Sequence, residues 1–252
     1  MQTNKPLVSV VIPMYNAEKY IKETLNSVFN QTFKDFEVVL VNDCSSDNSL
    51  KIAEEYQKTH KNLIIITNEK NQHVAESRNI GVNNAKGKWI AFLDSDDVWF
   101  EDKLEKQINA LEKQNSKLSY TSQIFIDDNS VETGKKFIIP ETTNYKKLLK
   151  QNIICMSSSI VDKELCLKYP FKNPEIHEDF IFWLEILKNE DVKPVGLTKP
   201  LVKYRLTAGS KSRNKFKSVK MTYKTYRKSG LNFFQAMYNL CFYIVKSLKK
   251  YS

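Results

Sequence analysis

The chain has few of the residues from which cofactor and metal sites are most often built. Its 252 residues include six glycines, three histidines and four cysteines. No G-x-G-x-x-G follows the first apolar run, which weighs against a dinucleotide-binding dehydrogenase, and there is no G-x-x-x-x-G-K-[ST], which excludes a P-loop. The cysteines form no C-x-x-C pair and the histidines no metal-spacing motif, so we expect reduced thiols rather than disulfides or zinc.

Long apolar segments are also absent. No stretch reaches the ~20 apolar residues that span a bilayer, and Met1–Lys5 is polar, without the hydrophobic core of a signal peptide. We therefore expect a cytosolic protein. The length suits one large α/β domain, or such a domain with a helical appendage.

The last fifth of the chain contains no acidic residue. Residues 201–252 hold thirteen Lys and Arg and no Asp or Glu, whereas the rest of the chain holds 26 basic and 29 acidic residues. The net charge of +10 therefore arises entirely from this segment. It indicates an anionic partner, which is a membrane surface, a phosphorylated substrate or nucleic acid.

An apolar segment ends abruptly in three carboxylates. Trp89–Leu93 has the composition of a buried strand. Asp94, Asp96 and Asp97 follow it directly, and like charges this close repel unless positive charge lies beside them. Asp94 and Asp96 can place oxygens on one hard divalent cation, which also binds phosphates. The structural alternative is a solvated acidic turn before a helix that begins near Glu101.

Strands and helices alternate through the first hundred residues. Apolar β-branched runs predict strands, and apolar residues at helical spacing predict helices between them. The strands are predicted at 7–13, 36–41, 63–67 and before Asp94, and the helices at 17–31, 48–60 and 76–85, the last closed by a Gly87 cap. This order predicts a doubly wound, mostly parallel Rossmann-like sheet flanked by helices. Tyr15, Asp43 and the Asp94 cluster should then meet on one rim.

The second half of the chain is less regular. We expect a helix at 101–114, strands at 117–126, 135–139 and 156–161, and one or two short strands within 192–204. Two acids, Glu178 and Asp179, open a strongly apolar helix that runs through Leu187. Acids at a helix N-terminus also stabilise it through its dipole, so this pair alone does not establish a catalytic role.

Two further helices are predicted at the end, within a basic tail of residues 214–252 that follows a domain of residues 1–213. The first, 214–228, is basic almost all round. The second carries an apolar stripe at spacings of three and four, formed by Leu231, Phe234, Met237, Tyr238, Cys241, Ile244, Val245 and Leu248. This stripe suits a helix packed on the domain, a helix lying on an anionic membrane, or a contact with a second copy of the chain in a homodimer.

Five motifs occur in order between residues 6 and 212. They are Val10–Asn16, Val41–Asp47, Ser77–Gly81, Asp94–Asp97 and Glu178–Trp183. Together they resemble the family 2 glycosyltransferases of the A-type fold, especially bacterial transferases that build capsule, lipopolysaccharide or teichoic-type glycans. The resemblance implies inverting transfer of a sugar, most often from a UDP-sugar donor and with Mn²⁺ or Mg²⁺, to a hydroxyl of a glycan or lipid-linked acceptor.

The same resemblance implies which residues hold the nucleotide. Pro13, Tyr15 and Asn16 would lie at the base pocket, with Tyr15 able to stack on uracil. Asp43 would accept the uracil N–H, and Arg78 would lie beside the nucleotide. Residues 1–100 then form the nucleotide-binding half of the domain and residues 101–213 the acceptor-binding half.

The last two motifs are implied to carry the chemistry. Asp94 would approach the ribose and the metal, Asp96 would hold the metal that bridges the diphosphate, and Asp97 would touch the donor sugar. Asp179 would be the general base that takes the proton of the acceptor hydroxyl, with Glu178 as the second candidate. A separate carboxylate across the sugar agrees with an attack from the face opposite the leaving group.

One part of the chain departs from the family pattern. Members often carry Tyr-Arg-x-His near the end of the domain, where the His helps to bind the metal, and Thr207 stands at that position here. Arg205, Lys211 and Ser212 would instead bind the diphosphate directly.

The sequence therefore predicts a metal-dependent inverting glycosyltransferase at the inner face of a bacterial cytoplasmic membrane. A sugar nucleotidyltransferase is one alternative, but it would carry a Gly-rich basic loop where Pro13–Asn16 stands. A non-enzymatic nucleic-acid-binding protein would explain the basic tail but not the polar motifs that share one rim, so we expect no nucleic acid. A catalytically inactive binding module disagrees with the presence of Asp94, Asp96 and Asp179.

Overall fold

The computed structural model describes residues 5–172, 176–207 and 215–250, with side chains described from 218 to 246 in the last range. Strands and helices alternate through the first hundred residues, as predicted. These elements are β1 (Val8–Met14), α1 (Ile21–Phe29), β2 (Phe36–Asn42), α2 (Ser49–Thr59), β3 (Leu63–Thr67), α3 (His73–Asn84) and β4 (Trp89–Phe92). The largest differences are that α1 begins four residues later than expected and α3 three residues earlier.

The rest of the chain contains shorter and more varied elements. A short 3-10 helix at Met156–Ser158 directly precedes the fourth of its strands along the chain. The others are β5 (Val98–Trp99), α4 (Lys103–Lys113), β6 (Leu118–Ile126), β7 (Glu132–Phe137), α5 (Tyr145–Leu149), β8 (Ile160–Asp162), α6 (Lys163–Lys168), α7 (Glu178–Asn189), β9 (Val195–Arg205), α8 (Lys215–Lys228) and α9 (Phe233–Lys250).

Within the described residues, nine strands form one mixed sheet. Its order is β3-β2-β1-β4-β8-β6-β9-β5, with β7 paired to β6. The first four strands are parallel, and β1 lies between β2 and β4. Every residue of β1 and β2 is buried, which explains why apolar residues predominate in both strands. Because parallel strands share an orientation, the segments after β1, β2 and β4 lie on one rim. The predicted α/β fold is confirmed.

The second half is built mainly from antiparallel pairs. β8 pairs antiparallel with β4 and with β6, β9 runs parallel to β6, and β6 and β7 form an antiparallel hairpin. The strand predicted at 156–161 is wrong in its first part, since the Ser158 and Ser159 hydroxyls donate to the carbonyls of Cys155 and Met156 and hold a 3-10 turn there. The sequence did not predict α5 and α6, which are too short to show periodicity.

Gly87 does not cap α3, as was predicted, but allows a close approach of two backbone segments. Helix α3 ends with Ala85 in an extended conformation, and Gly87 is not in the left-handed region of φ. A Cβ atom at Gly87 would lie 2.6 Å from the backbone nitrogen of Ser9. The position therefore needs glycine because the chain passes directly against the start of β1.

Helices α8 and α9 pack on the domain. Tyr226 and Ala236 are fully buried, and they share one hydrophobic cluster with Phe92 of β4 and Trp183 of α7. Within the described residues, every helix is too short or too polar to cross a membrane. The division of the chain at residue 213 stays a prediction.

The face of α9 that packs is not the predicted stripe. Ala236 and Leu240 are buried, and Tyr243 packs beside them. Most of the stripe is exposed, namely Phe234, Met237, Tyr238, Cys241, Ile244 and Val245. Helix α9 therefore has one apolar face on the core and a second apolar face at the surface.

Candidate active site

A cavity of about 1330 Å³ lies at the carboxyl-terminal edge of the parallel strands. Its lining comes from both halves of the chain and from α8 and α9. The predicted residues that line it are Pro13, Tyr15, Asn16, Asp43, Arg78, Asp94, Asp96, Glu178, Asp179 and Arg205. Asp97 is not among the lining residues, and Lys211 and Ser212 lie outside the described residues.

Tyr15 and Asp43 form the side of the cavity nearest β1 and β2. The Tyr15 side chain is half exposed, whereas Asp43 is buried. Asp43 Oδ1 accepts hydrogen bonds from Asn68 Nδ2 and from the backbone nitrogen of Gln72, both at 2.8 Å. Among the described residues, none donates to Oδ2. This oxygen is therefore the one that a ligand can use, while Oδ1 fixes the carboxylate in place.

Asn16 joins the loops that follow β1 and β2. Its backbone nitrogen donates to Ser45 Oγ at 3.1 Å, and its Oδ1 accepts from the Ser46 nitrogen at 2.9 Å. Its φ of 46° lies in the left-handed region, which Asn tolerates better than most residues. Asn16 thus lines the cavity, but its backbone nitrogen and its Oδ1 form hydrogen bonds with the neighbouring loop.

Arg78 connects the edge of the cavity that carries Asp94 with α7, the helix that carries Glu178 and Asp179. Its side chain, on α3, is almost completely buried. Nη2 lies 2.6 Å from Asp94 Oδ1, and Nη1 lies 3.2 Å from Glu178 Oε1. Nε is buried without a hydrogen-bond partner in the described part of the chain. Two carboxylates from distant parts of the sequence, Asp94 and Glu178, therefore share the guanidinium of Arg78.

The Asp94 cluster is held close together despite its charge. Burial, followed by the charge of the neighbouring Asp94 carboxylate, raises the pKa of Asp96 to about 6. The Thr24 hydroxyl, on α1, holds the loop by donating to the carbonyls of Ser95 and Asp97 at 3.0 and 2.9 Å. A carboxylate with such a raised pKa is stabilised in its charged form by a cation.

Asp97 lies behind this loop rather than in the cavity. Burial raises its pKa well above the usual range, with Asp96 and Asp94 as the next causes. Its Oδ1 accepts from the backbone nitrogen of Arg205 at 2.8 Å. The sequence-based expectation that Asp97 touches the donor sugar is therefore corrected, because the side chain is buried against β9.

The Arg205 guanidinium is occupied by the protein. Its side chain is fully buried, with Nε donating to the Asp96 carbonyl at 2.7 Å and Nη2 pairing with Glu23 at 2.6 Å. Nη1 donates to the Asp127 carbonyl and to Ser130 Oγ, both at 2.9 Å. Four of its five donors are thus engaged. Arg205 therefore holds the acidic loop in place through the Asp96 carbonyl. Its contact with a diphosphate stays a prediction.

Asp179 and Glu178 stand in different environments although they are adjacent. Glu178 pairs with Arg78, whereas no Lys or Arg among the described residues lies within ion-pair distance of Asp179. Burial raises the pKa of Asp179, and the charge of Glu178 raises it further. Asn152 Nδ2 donates to Asp179 Oδ2 at 3.0 Å. Asp179 is therefore the carboxylate better suited to accept a proton.

Sequence reasoning missed the residues that support Asp179. Asn152 lies in an irregular segment after α5 and carries no motif. His177 lines the cavity, and its ring Nε2 lies 3.2 Å from the Ser218 carbonyl on α8. Tyr243 and Ile244 of α9 also line the cavity. The only available signal was the position of His177 directly before the two acids.

The acidic rim fits a divalent cation as part of a larger ligand set. Asp94 and Asp96 both line the cavity and supply hard oxygen ligands. Within the described residues no group of three or more His, Cys, Asp or Glu is placed to hold a metal. The remaining ligands would have to come from substrate phosphate oxygens or water. Thr207, at the position where a metal-binding His was considered, lines the cavity.

Comparison with known sequences agrees with the resemblance over most of the chain. The family model described as glycosyl transferase family 2 matches residues 9–165. The "Putative teichuronic acid biosynthesis glycosyltransferase TuaG" of Bacillus subtilis is 34% identical over 247 residues, covering 98% of each chain. The "UDP-Glc:alpha-D-GlcNAc-diphosphoundecaprenol beta-1,3-glucosyltransferase WfgD" of Escherichia coli is 36% identical over 247 residues, covering 98% of this chain and 95% of that protein.

Solved structures show the same fold. Residues 1–349 of S. aureus TarS, in complex with UDP-GlcNAc, superpose with a TM-score of 0.72 at 22% identity, covering 92% of this chain and 70% of that one. The mannosyltransferase PcManGT from Pyrobaculum calidifontis, in complex with GDP-Man and Mn²⁺, gives a TM-score of 0.65 at 16% identity, covering 98% and 75%. Because the family model covers more than half of the sequence and the curated relatives match nearly all of it, the chain belongs to glycosyl transferase family 2 and is a glycosyltransferase.

Proposed function

We propose that this glycosyltransferase moves a sugar, with inversion, from a UDP-sugar to a hydroxyl of a lipid-linked or glycan acceptor in the synthesis of a bacterial surface polysaccharide. The observation that carries the proposal is the single cavity in which Asp43, the Asp94–Asp96 pair and Asp179 come together. In this assignment residues 1–100 bind the nucleotide and residues 101–213 bind the acceptor. The names of the relatives TuaG and WfgD support the class of product.

The nucleotide lies against β1 and β2 in this proposal. The half-exposed ring of Tyr15 offers a stacking surface for uracil, and the buried Pro13 closes the floor. The unused Oδ2 of Asp43 accepts the uracil N–H. UDP is favoured as the nucleotide by the WfgD name, which specifies UDP-Glc, and by the TarS complex with UDP-GlcNAc.

Asp96 and Asp94 would hold Mn²⁺ or Mg²⁺ against the diphosphate. When bound, the cation neutralises negative charge on the diphosphate leaving group. Asp94 also accepts from Arg78, so its position is set before any ligand arrives. Arg205 keeps the loop in register by binding the Asp96 carbonyl. These contacts preorganise the acidic rim.

Asp179 removes the proton from the acceptor hydroxyl in this mechanism. The hydroxyl oxygen bonds to the anomeric carbon on the face opposite the nucleotide, the bond to the diphosphate oxygen breaks, and the proton passes to Asp179. The raised pKa of Asp179 favours proton uptake, and Asn152 directs its Oδ2. Glu178 remains paired with Arg78 and does not act as the base.

The acceptor is proposed to be lipid-linked, at the inner face of the cytoplasmic membrane. The WfgD name specifies a diphosphoundecaprenol-linked sugar as its acceptor. A peripheral contact of residues 214–252 with an anionic membrane would bring the enzyme to such a substrate, and the absence of acidic residues after Pro200 supports that contact.

Thermal unfolding with nucleotides tests the donor site. The protein is mixed with UDP, other nucleotides and a panel of nucleotide sugars, each with and without Mn²⁺. We expect UDP to raise Tm, Mn²⁺ to enlarge the shift, and Asp96→Ala to remove the enlargement. The matched control is Asp35→Ala, an exposed carboxylate that precedes β2 and does not line the cavity. A folded protein whose Tm responds to no nucleotide would disprove the proposed donor site.

A further inference from the structure

Helix α9 presents an unusually apolar surface for an exposed helix. Phe234 is 79% exposed and Val245 58% exposed, at the two ends of the face. Between them on the same face lie Met237, Tyr238, Cys241 and Phe242, all exposed. At 1.5 Å per residue the face extends over roughly 16 Å. Since the opposite side of α9 is buried in the domain, this surface is not needed for folding.

Basic residues lie beside this apolar face and on the helix that packs against α9. Lys150 Nζ lies 4.9 Å from the centre of the Phe242 ring, and Lys246 is exposed on the last described turn of side chains. Helix α8, which packs against α9, exposes basic residues at helical spacing, namely Lys220, Lys224, Arg227 and Lys228. No acidic residue occurs from 201 to 252. An apolar surface bordered by cations is typical of helices that lie in the headgroup region of a membrane.

The apolar face and the active site lie on the same helix. Tyr243 and Ile244 of α9 line the cavity that contains Asp179, and Val245 is the next residue on the exposed side. His177, beside Asp179, contacts Ser218 of α8. A surface that lies on the exposed face of α9 is therefore directly next to the wall of the cavity.

We propose that the exposed face of α9, from Phe234 to Val245, docks on an anionic lipid bilayer and holds the cavity at the membrane surface. A second copy of the chain fits this surface less well. A symmetric dimer places the same surface of each copy against the other, so like charges of the two copies would approach one another. Anionic headgroups instead bring the opposite charge to this surface.

Vesicle flotation tests the docking directly. The full chain is mixed with phosphatidylcholine vesicles that contain or lack phosphatidylglycerol. We expect binding only to the anionic vesicles, and weaker binding when salt is raised from about 0.1 M to about 0.5 M. In the variant Phe234→Ser with Val245→Ser, binding should fall about tenfold or more, because two apolar side chains leave the membrane.

A matched control removes two apolar side chains elsewhere. Val131 and Ile138 are 60% and 56% exposed and belong to the β6–β7 hairpin region. The variant Val131→Ser with Ile138→Ser should bind vesicles as the wild type does. Equal binding by the α9 variant, or no binding of the wild type to anionic vesicles, would overturn the proposal. So would a sedimentation result in which the α9 changes dissolve a dimer and leave vesicle binding unchanged.

The consequence for catalysis rests on the proposed function. With a lipid-linked sugar acceptor embedded in anionic vesicles, the α9 variant should lose at least about tenfold in kcat/KM, in line with its loss of membrane binding. With a short water-soluble form of the same acceptor, wild type and variant should be equal. Vesicle binding without transfer to either acceptor would refute the proposed acceptor and leave the docking intact. An equal loss with both acceptors would show that the α9 changes damage the active site.

Discussion

The clusters around Arg78 and Arg205 connect the two halves of the chain in opposite directions. Arg78, from the first half, reaches Glu178 in the second. Arg205, from the second half, reaches back to the Asp96 carbonyl and to Glu23 in the first. Both side chains are buried, and each has partners far away in sequence. They differ in what their partners face.

The partners of Arg78 face the cavity, whereas those of Arg205 are mostly backbone and surface groups. Asp94 and Glu178 line the cavity, so a ligand there competes with or supports their bonds to Arg78. Arg205 instead holds carbonyl oxygens that have no reason to change when substrate binds. The Arg78 cluster should therefore respond to ligands, and the Arg205 cluster should act as a fixed support.

The largest effect is expected at the two adjacent acids at the start of α7, of which Glu178 pairs with Arg78 and Asp179 does not. Asp179→Asn removes the proposed base and should lower kcat about 10²- to 10⁴-fold. Glu178→Gln keeps Asp179 and should lower kcat much less, although Arg78 then faces one carboxylate instead of two. Steady-state kinetics of sugar transfer provide the measurement, and an unchanged Tm shift with UDP shows that donor binding survives. A larger loss of kcat in Glu178→Gln would exchange the two assignments.

Removing each arginine tests the comparison itself. Arg78→Met and Arg205→Met should each lower the free energy of unfolding by about 3 kcal/mol, because buried polar groups lose their partner. Added UDP and Mn²⁺ should restore part of the stability of Arg78→Met, since the cation neutralises Asp94 again, but little of that of Arg205→Met. Denaturant unfolding with and without ligand measures both quantities.

The control for this pair is Arg227→Met. Arg227 is exposed on α8, so its removal should change stability by less than about 0.5 kcal/mol. If both buried-arginine variants recover equally with UDP and Mn²⁺, the proposed difference between a responsive and a fixed cluster is incorrect.

The edge of the cavity beside β1, β2 and β4 could be predicted from sequence because its signals are local. Each strand of β1–β4 is a short apolar run, and each polar group follows its own strand by one or two residues. Right-handed crossovers then bring Tyr15, Asp43 and Asp94 together without further information. The residues that meet at this edge of the sheet can thus be predicted from patterns that span fewer than ten residues.

The support of the candidate base could not be predicted in the same way. Asn152 and Asp179 are separated by 27 residues, and Asn152 lies in no regular element. The exposed stripe of α9 was recognised as apolar, but its orientation depends on Ala236, which a pattern of large residues ignores. The protein partners of Arg205 could not be predicted either, because sequence shows a charge but not which carbonyl groups it will bind.

A substitution at Asp96 measures how much the buried acidic loop lowers the free energy of unfolding when no ligand is bound. Its pKa is about 6 in the folded state against an ordinary 3.8, so the folded protein binds more protons between these values and loses stability as pH rises through them. Asp96→Asn lacks this dependence. Above pH 7 the variant should be more stable than the wild type, by on the order of 1–3 kcal/mol.

Thermal unfolding across pH 4.5 to about 8 measures the difference between the two proteins. The advantage of Asp96→Asn should shrink toward pH 5, where the wild-type carboxyl is protonated. The same variant should lose the effect of Mn²⁺ on UDP binding. A constant difference in Tm at all pH values would show that Asp96 does not titrate in this range.

The smallest effect is expected at Asn152, which acts on the base from outside the reaction. Asn152→Ala removes the hydrogen bond to Asp179 Oδ2, which favours the charged carboxylate, so the pKa of Asp179 should rise further. The acidic limb of the kcat/KM profile should then move to higher pH, with a loss of less than about tenfold in kcat at neutral pH. Asn144→Ala is the matched control, since Asn144 only caps α5 by accepting from the Lys147 nitrogen. It should lower Tm without moving the pH profile, and the same behaviour in Asn152→Ala would reduce Asn152 to a structural residue.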